Sequence, residues 1–199
     1  MLYKLYNFQL YNLLMIQFIQ SNATPIIGFL TMISNLIFIV VLFVIGIHSE
    51  TRAKLYNFVH KYILELLFWG ILSAVIGSLV YSEIVGFPAC DLCWYQRIML
   101  YPQAVIILMA MRKKDKDVIN YLVPLSIIGA VLALYQSVIQ WGFSFGNILD
   151  CTAIGGECAR VYVNEYSYIT IPFMSFSVFI YIIALKFIYY SHRKKLDNK

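Results

Sequence analysis

Apolar positions along this chain gather into long unbroken runs instead of alternating with polar ones. Five runs, residues 26–47, 62–81, 94–111, 118–139 and 169–190, come close to the roughly twenty apolar residues a helix needs to cross about 30 Å of hydrocarbon. No segment shows the in–out alternation of a membrane strand, and a helix satisfies its own backbone where lipid offers no partner. Each run therefore predicts a transmembrane helix, and the fold class is all-α.

The polar segments between the runs orient them. Arg52, Lys54 and Lys61 lie before the second run, Arg112, Lys113, Lys114 and Lys116 after the third, and Arg193, Lys194, Lys195 and Lys199 after the fifth. Basic residues beside spans favour the cytoplasmic side. Residues 82–93 hold no lysine or arginine and residues 142–168 only Arg160, so both segments are expected outside. Five spans satisfy this alternation, with the amino terminus outside and the carboxyl terminus inside.

The chain divides accordingly. Residues 1–25 are aromatic and amphipathic and read as an interfacial helix on the outer leaflet. A secretory signal peptide is the other reading, since Lys4 precedes a modest apolar stretch and Ser21-Asn22-Ala23 resembles a cleavage site, although Gln17 and Gln20 weaken it. Residues 26–61 add a span and a cytoplasmic loop, residues 62–190 form a four-helix membrane domain, and residues 191–199 a basic cytoplasmic tail.

Composition agrees. Of 199 residues, 61% are hydrophobic and 13% charged, well away from an ordinary globular mixture, and the length leaves no room for a separate soluble domain of usual size. The net charge of +5 sits in short blocks beside apolar runs, where it sets topology and meets anionic lipid; nucleic-acid binding is excluded as a function.

All four cysteines, Cys90, Cys93, Cys151 and Cys158, fall in the two outward segments. In an oxidising compartment an even number of loop thiols suggests disulfides, whereas zinc is the cytosolic reading. Six residues separate Cys151 from Cys158, longer than the usual zinc knuckle, which argues against a metal. Two inert staples remain an alternative. Cys90 and Cys93 form a C-x-x-C pair, the spacing of redox-active couples in which one sulfur attacks and the other resolves. Pro88 stops any earlier helix, so the pair falls at a helix amino terminus near Cys93 or Trp94, where unpaired N–H groups favour thiolate; Asp91 opposes this somewhat. Gly155 and Gly156 make the second pair's loop flexible enough to present a disulfide to another protein.

Arg97 lies four residues after Cys93, one turn further along the same helix face. An arginine this deep either snorkels to the headgroups or serves a ligand. Beside C-x-x-C its guanidinium suits the carbonyl of a lipid-soluble electron acceptor, where it would stabilise developing negative charge. Trp94 and Tyr95 fit an aromatic interfacial belt or would flank the acceptor ring, and Gln96 offers a second polar contact. Other polar residues within the spans, such as Gln136 and Glu65, read as scattered.

The stretch "CDLCWYQRIMLYP", carrying Cys90, Cys93, Trp94, Gln96, Arg97, Tyr101 and Pro102, resembles the motif of the DsbB family of disulfide bond formation proteins, in its short BdbC-like branch from Gram-positive bacteria. The likeness runs from about Leu66 to Tyr190 through "GSLVYSEIVGF", "ALYQ" and "YITIPF". It implies a four-helix core in a bacterial plasma membrane that reoxidises a DsbA-like, thioredoxin-fold partner and passes electrons to a quinone, menaquinone or ubiquinone. The resemblance further implies Cys90–Cys93 as the quinone-coupled pair, Cys151–Cys158 as the pair that meets the partner, and Arg97 on the quinone side. In the implied order a partner thiolate attacks Cys151, the two pairs exchange, and Cys93 donates to quinone. The span at 26–47 has no counterpart in the usual four-span family, and the close spacing of the second pair leaves open whether Cys151 or Cys158 is attacked.

Rival readings are a vitamin K epoxide reductase-like quinone reductase, disfavoured by the W-x-Q-R after Cys93, and a non-enzymatic helical scaffold with structural disulfides. Outward export of reducing power lacks a cytoplasmic cysteine to receive electrons.

Overall fold

The computed structural model describes residues 2–47, 49–143 and 156–197. Five α-helices account for most of them: α1 (Leu2–Ile47), α2 (Ser49–Leu79), α3 (Asp91–Lys113), α4 (Ile119–Gln140) and α5 (Ile171–Asp197). Four of these, α1, α2, α4 and α5, are long and apolar enough to cross a membrane, and the protein is a multi-pass membrane protein. The fifth, α3, carries Gln96, Arg97 and Gln103 within its length. It is the helix that exchanges apolarity for site chemistry.

Helices α2, α3, α4 and α5 close a four-helix ring in which each packs on its two neighbours, the α4–α5 seam being the most extensive. Its core is built on helical spacing: Ile63, Leu67 and Ile71 of α2 repeat every fourth residue and meet Ile107 of α3, Ile119 and Leu122 of α4 and Phe179 of α5, all nearly inaccessible. Gly129 lets α4 and α5 approach, because a Cβ there would lie 2.7 Å from two ring carbons of the buried Phe179, closer than packed side chains tolerate. Deeper between α3 and α4, Ser126 donates to Gln103 Oε1 at 3.1 Å while Gln103 Nε2 donates back to Met99 O at 2.9 Å, so these interior polar groups have partners.

Two segments differ from the sequence reading. Residues 49–61, expected as a loop, are helical and run into α2, with a break in helical geometry at Tyr62 (φ −110°, ψ 21°); no proline or glycine interrupts them, and the kink falls where the apolar run begins. Residues 2–25 continue into α1 without a break, Pro25 included; a proline inside a long helix is tolerated where neighbouring groups or water re-satisfy the freed backbone.

Past α2 the helix widens into one π turn, Val80–Ile84, a distortion frequent at functional sites. Gly86, at φ +82°, takes the left-handed backbone that releases the chain towards Pro88 and α3. One end of the bundle thus carries Cys90, Cys93 and Cys158, and the other the basic segment of residues 112–116, where Lys116 Nζ reaches His60 O at 2.7 Å.

Candidate thiol site and its apolar cavity

Cys90 caps α3 from extended backbone (φ −74°, ψ 172°), and its carbonyl accepts Trp94 N–H at 3.0 Å. The helix begins at Asp91, slightly ahead of the expected start, so Cys93 occupies the third helical position, among N–H groups that have no intrahelical acceptor. The two thiols are free and their sulfurs lie 3.0 Å apart, about 1 Å beyond a disulfide bond. Both precede Trp94, where the apolar run starts.

Gln136 of α4, 1% exposed, joins the parts of the site. Its Nε2 faces Cys90 Sγ at 3.2 Å, Cys93 Sγ at 3.6 Å and Cys158 O at 3.3 Å. Its Oε1 accepts from Gln96 Nε2 at 2.8 Å. One turn on, Gln140 Nε2 reaches Cys158 O at 3.5 Å and Arg160 O at 3.1 Å. The sequence reading took Gln136 as scattered, whereas the fold sets it against both halves of the thiol chemistry. The available signal was two glutamines four residues apart on α4, at the same end of the bundle as Gln96.

Cys158 lies in a single 3-10 turn, Glu157–Ala159, is fully buried, and packs in one cluster with Cys90 and Leu92. It is disulfide-bonded. Its expected partner, Cys151, lies outside the described residues. Held by two glutamine side chains, the Cys158 backbone sits beside the first pair.

Arg97 is half-buried. Its Nε donates to Ser78 Oγ at 3.0 Å and its Nη2 to Ser78 O at 3.3 Å, and its guanidinium lies 5.2 Å from the Trp94 ring centroid, a cation–π distance. Nη1 has no partner among the described residues. Gln96, expected beside an acceptor, is buried and committed to Gln136, while Trp94 is 54% exposed. Ser78, which orients Arg97 and contacts Tyr101 Oη at 3.2 Å, is a further residue of the site that the motif alone did not reveal.

The thiols do not ionise alike. Cys93 has its pKa lowered, chiefly by the hydrogen bond from the Cys90 thiol and further by the Gln136 amide and the positive charge of Arg97, which together outweigh burial. Cys90 has its pKa raised, by that same bond to Cys93 and by burial. One negative charge is thus shared by the pair and centred on Cys93. A depressed pKa means the thiolate persists below the ordinary thiol range and is lost only as pH falls through the lowered value. In reduced protein alkylated with iodoacetamide across a pH series and mapped by mass spectrometry, Cys93 should reach half-modification well below about 8.5, with Cys90 lagging. Equal midpoints would contradict this asymmetry.

A cavity of about 820 Å³ opens at this site, with Cys93, Gln96, Arg97 and Gln136 on its wall, and extends through apolar residues as far as Val59 and Ile188. A reactive pair thus adjoins a space of ligand size.

The family model for "Disulfide bond formation protein DsbB" matches residues 60–189, the four-helix ring with its cysteine end. The chain belongs to the DsbB family. Among its DsbB relatives, "Probable disulfide formation protein C 2" of Bacillus anthracis is 36% identical over 71% of this chain and 98% of its own length. "Disulfide bond formation protein C" of Bacillus subtilis is 41% identical over 56% of this chain and 80% of its own. A second Bacillus subtilis relative, "SPbeta prophage-derived disulfide bond formation protein B", is 41% identical over 67% of this chain and 90% of its own. No solved structure matches. The DsbB match begins after α1.

Proposed function

We propose that this DsbB-family protein is a thiol:quinone oxidoreductase that reoxidises a DsbA-like, thioredoxin-fold protein outside the cytoplasm. The observation that carries the reading is the two-sided setting of Cys90 and Cys93, with Cys158 packed on one side and the apolar cavity on the other. Thiol exchange with a protein needs water and a quinone needs lipid, and a pair at the end of a membrane helix meets both. The distribution of lysine and arginine supports the cysteine end as outward.

In the proposed sequence a partner thiolate attacks Cys151 and breaks the Cys151–Cys158 disulfide. The second partner thiol resolves the mixed disulfide, leaving the partner oxidised and Cys151 and Cys158 reduced. Exchange with an oxidised Cys90–Cys93 pair restores Cys151–Cys158 and leaves Cys90 and Cys93 as thiols. Cys93, held as thiolate by Cys90, Gln136 and Arg97, then gives up its electron pair as the Cys90–Cys93 bond re-forms. Two electrons and two protons pass to the quinone, which leaves as quinol. The residues fit such a group: apolar walls suit a lipid-soluble body, and Arg97 Nη1 is a charged donor at the cavity's polar end.

Purified protein mixed with reduced partner and quinone, followed by quinone absorbance, tests the reading. Wild type should consume quinone with the partner's thiols. Arg97→Ala should raise the quinone concentration needed for half-maximal rate by roughly ten-fold or more, the loss of one charge-assisted hydrogen bond. No quinone consumption by wild type would overturn the proposal; an unchanged requirement in the variant would reduce Arg97 to a strut between α3 and Ser78.

A further inference from the structure

The helix that the family match leaves out is built into the cavity. Cavity-facing residues of α1 are Ile27, Thr31, Ser34, Phe38 and Val41, a three-and-four spacing that marks one helix face. Leu36, Ile37, Val40 and Phe43 between and beyond them are exposed, as expected of a side turned to lipid. This helix is fastened at two levels. Near the cysteine end Gly28 sits so close to the Glu165 side chain that a Cβ would come within 2.8 Å of its Cγ. About two turns on, Tyr181 of α5 hydrogen-bonds both Asn35 Oδ1 and Ser34 Oγ, and Phe38 packs on the Tyr181 ring at 4.7 Å. Hydrogen bonds between helices in hydrocarbon fix a helix in register where apolar packing alone would let it slide.

Opposite α1, the wall supplied by α2 is a stripe of small residues, Gly70, Ser73, Ala74, Gly77 and Ser78. Such a stripe ordinarily lets two helices touch. Here it does not, since a Cβ added at Gly70 or Gly77 would meet nothing within 4 Å. The space is therefore held open while α1 is clasped to α5. It runs from Ser78, where Arg97 is bound, towards Val59, nineteen residues and about 28 Å along α2 at 1.5 Å per residue. One polar end and a long apolar body match an amphiphile with a ring head and an extended tail.

We propose that α1 is the wall that closes this channel against the bilayer and selects the acceptor by its tail. The inference rests on the quinone reading above, and adds that residues of α1 touch the tail. Thr31 lines the channel and, among the described residues, its hydroxyl bonds only within its own helix, to Ile27 O at 2.8 Å, so Thr31→Trp fills the channel without cutting the Tyr181 clasp.

Two measurements on the full chain in membranes decide it. With a quinone bearing an isoprenoid tail, Thr31→Trp should raise KM roughly ten-fold, while a quinone with a methyl group in place of the tail is reduced with wild-type KM and kcat, which also certifies the fold. Independently of turnover, a benzophenone side chain introduced at position 31 should photolabel the tailed quinone at least several-fold more than one at position 39, where Ile39 is 61% exposed on the outer side of α1. A rise in KM shared by both quinones, no rise at all, or equal labelling at 31 and 39 would overturn the role of α1 while leaving quinone reduction by wild type intact. Absence of quinone reduction by wild type would instead sink the oxidoreductase reading, and this inference with it.

Discussion

Cys93→Ala should stop quinone reduction by reduced partner, with the rate falling at least about 1,000-fold, equivalent to about 4 kcal/mol of lost transition-state stabilisation. The size follows from electron accounting. A lone Cys90 cannot close a disulfide, so no two-electron donor remains beside the cavity. Cys90→Ala should be equally inactive for the complementary reason, while its Cys93 would lose the thiol that contributes most to lowering its pKa. Quinone absorbance in the purified reaction reads the rate, and the thermal midpoint of each variant reports folding. A folded variant with full activity would remove the pair from the mechanism.

The membrane architecture was legible because long apolar runs have one physical solution in lipid. The extra helicity of residues 49–61 was not, since a short polar segment between apolar runs is compatible with either loop or helix until α2 continues through it. In the site, Cys90, Cys93 and Arg97 were recognisable by spacing along one helix. Gln136 was not, because one glutamine in an apolar run has no period; its meaning comes only when α4 crosses α3 and brings it against Gln96, both thiols and the Cys158 carbonyl. Cys158 is buried with its carbonyl held by two α4 glutamines, long-range hydrogen bonds that no local pattern around it signals.

Gln136 therefore carries the second large effect. Gln136→Leu keeps the volume near that of glutamine but removes a donor from both sulfurs and leaves the buried Gln96 Nε2 without its acceptor. An orphaned buried amide costs about 1–3 kcal/mol, and loss of the amide dipole raises the Cys93 pKa back towards the ordinary thiol range. The orphaned amide acts on stability and the weaker thiolate on rate, so single-turnover oxidation of Cys93 should slow roughly 10- to 100-fold at neutral pH. Part of the loss should be recovered as pH rises and thiolate is restored. Gln136→Glu should behave worse than leucine at that pH, because a carboxylate beside the sulfurs disfavours their ionisation. A purely structural glutamine would lower the thermal midpoint in the leucine variant and leave the pH at which its Cys93 is half-alkylated where wild type has it. A shift of that midpoint to higher pH in the leucine variant is the result expected if Gln136 holds the thiolate.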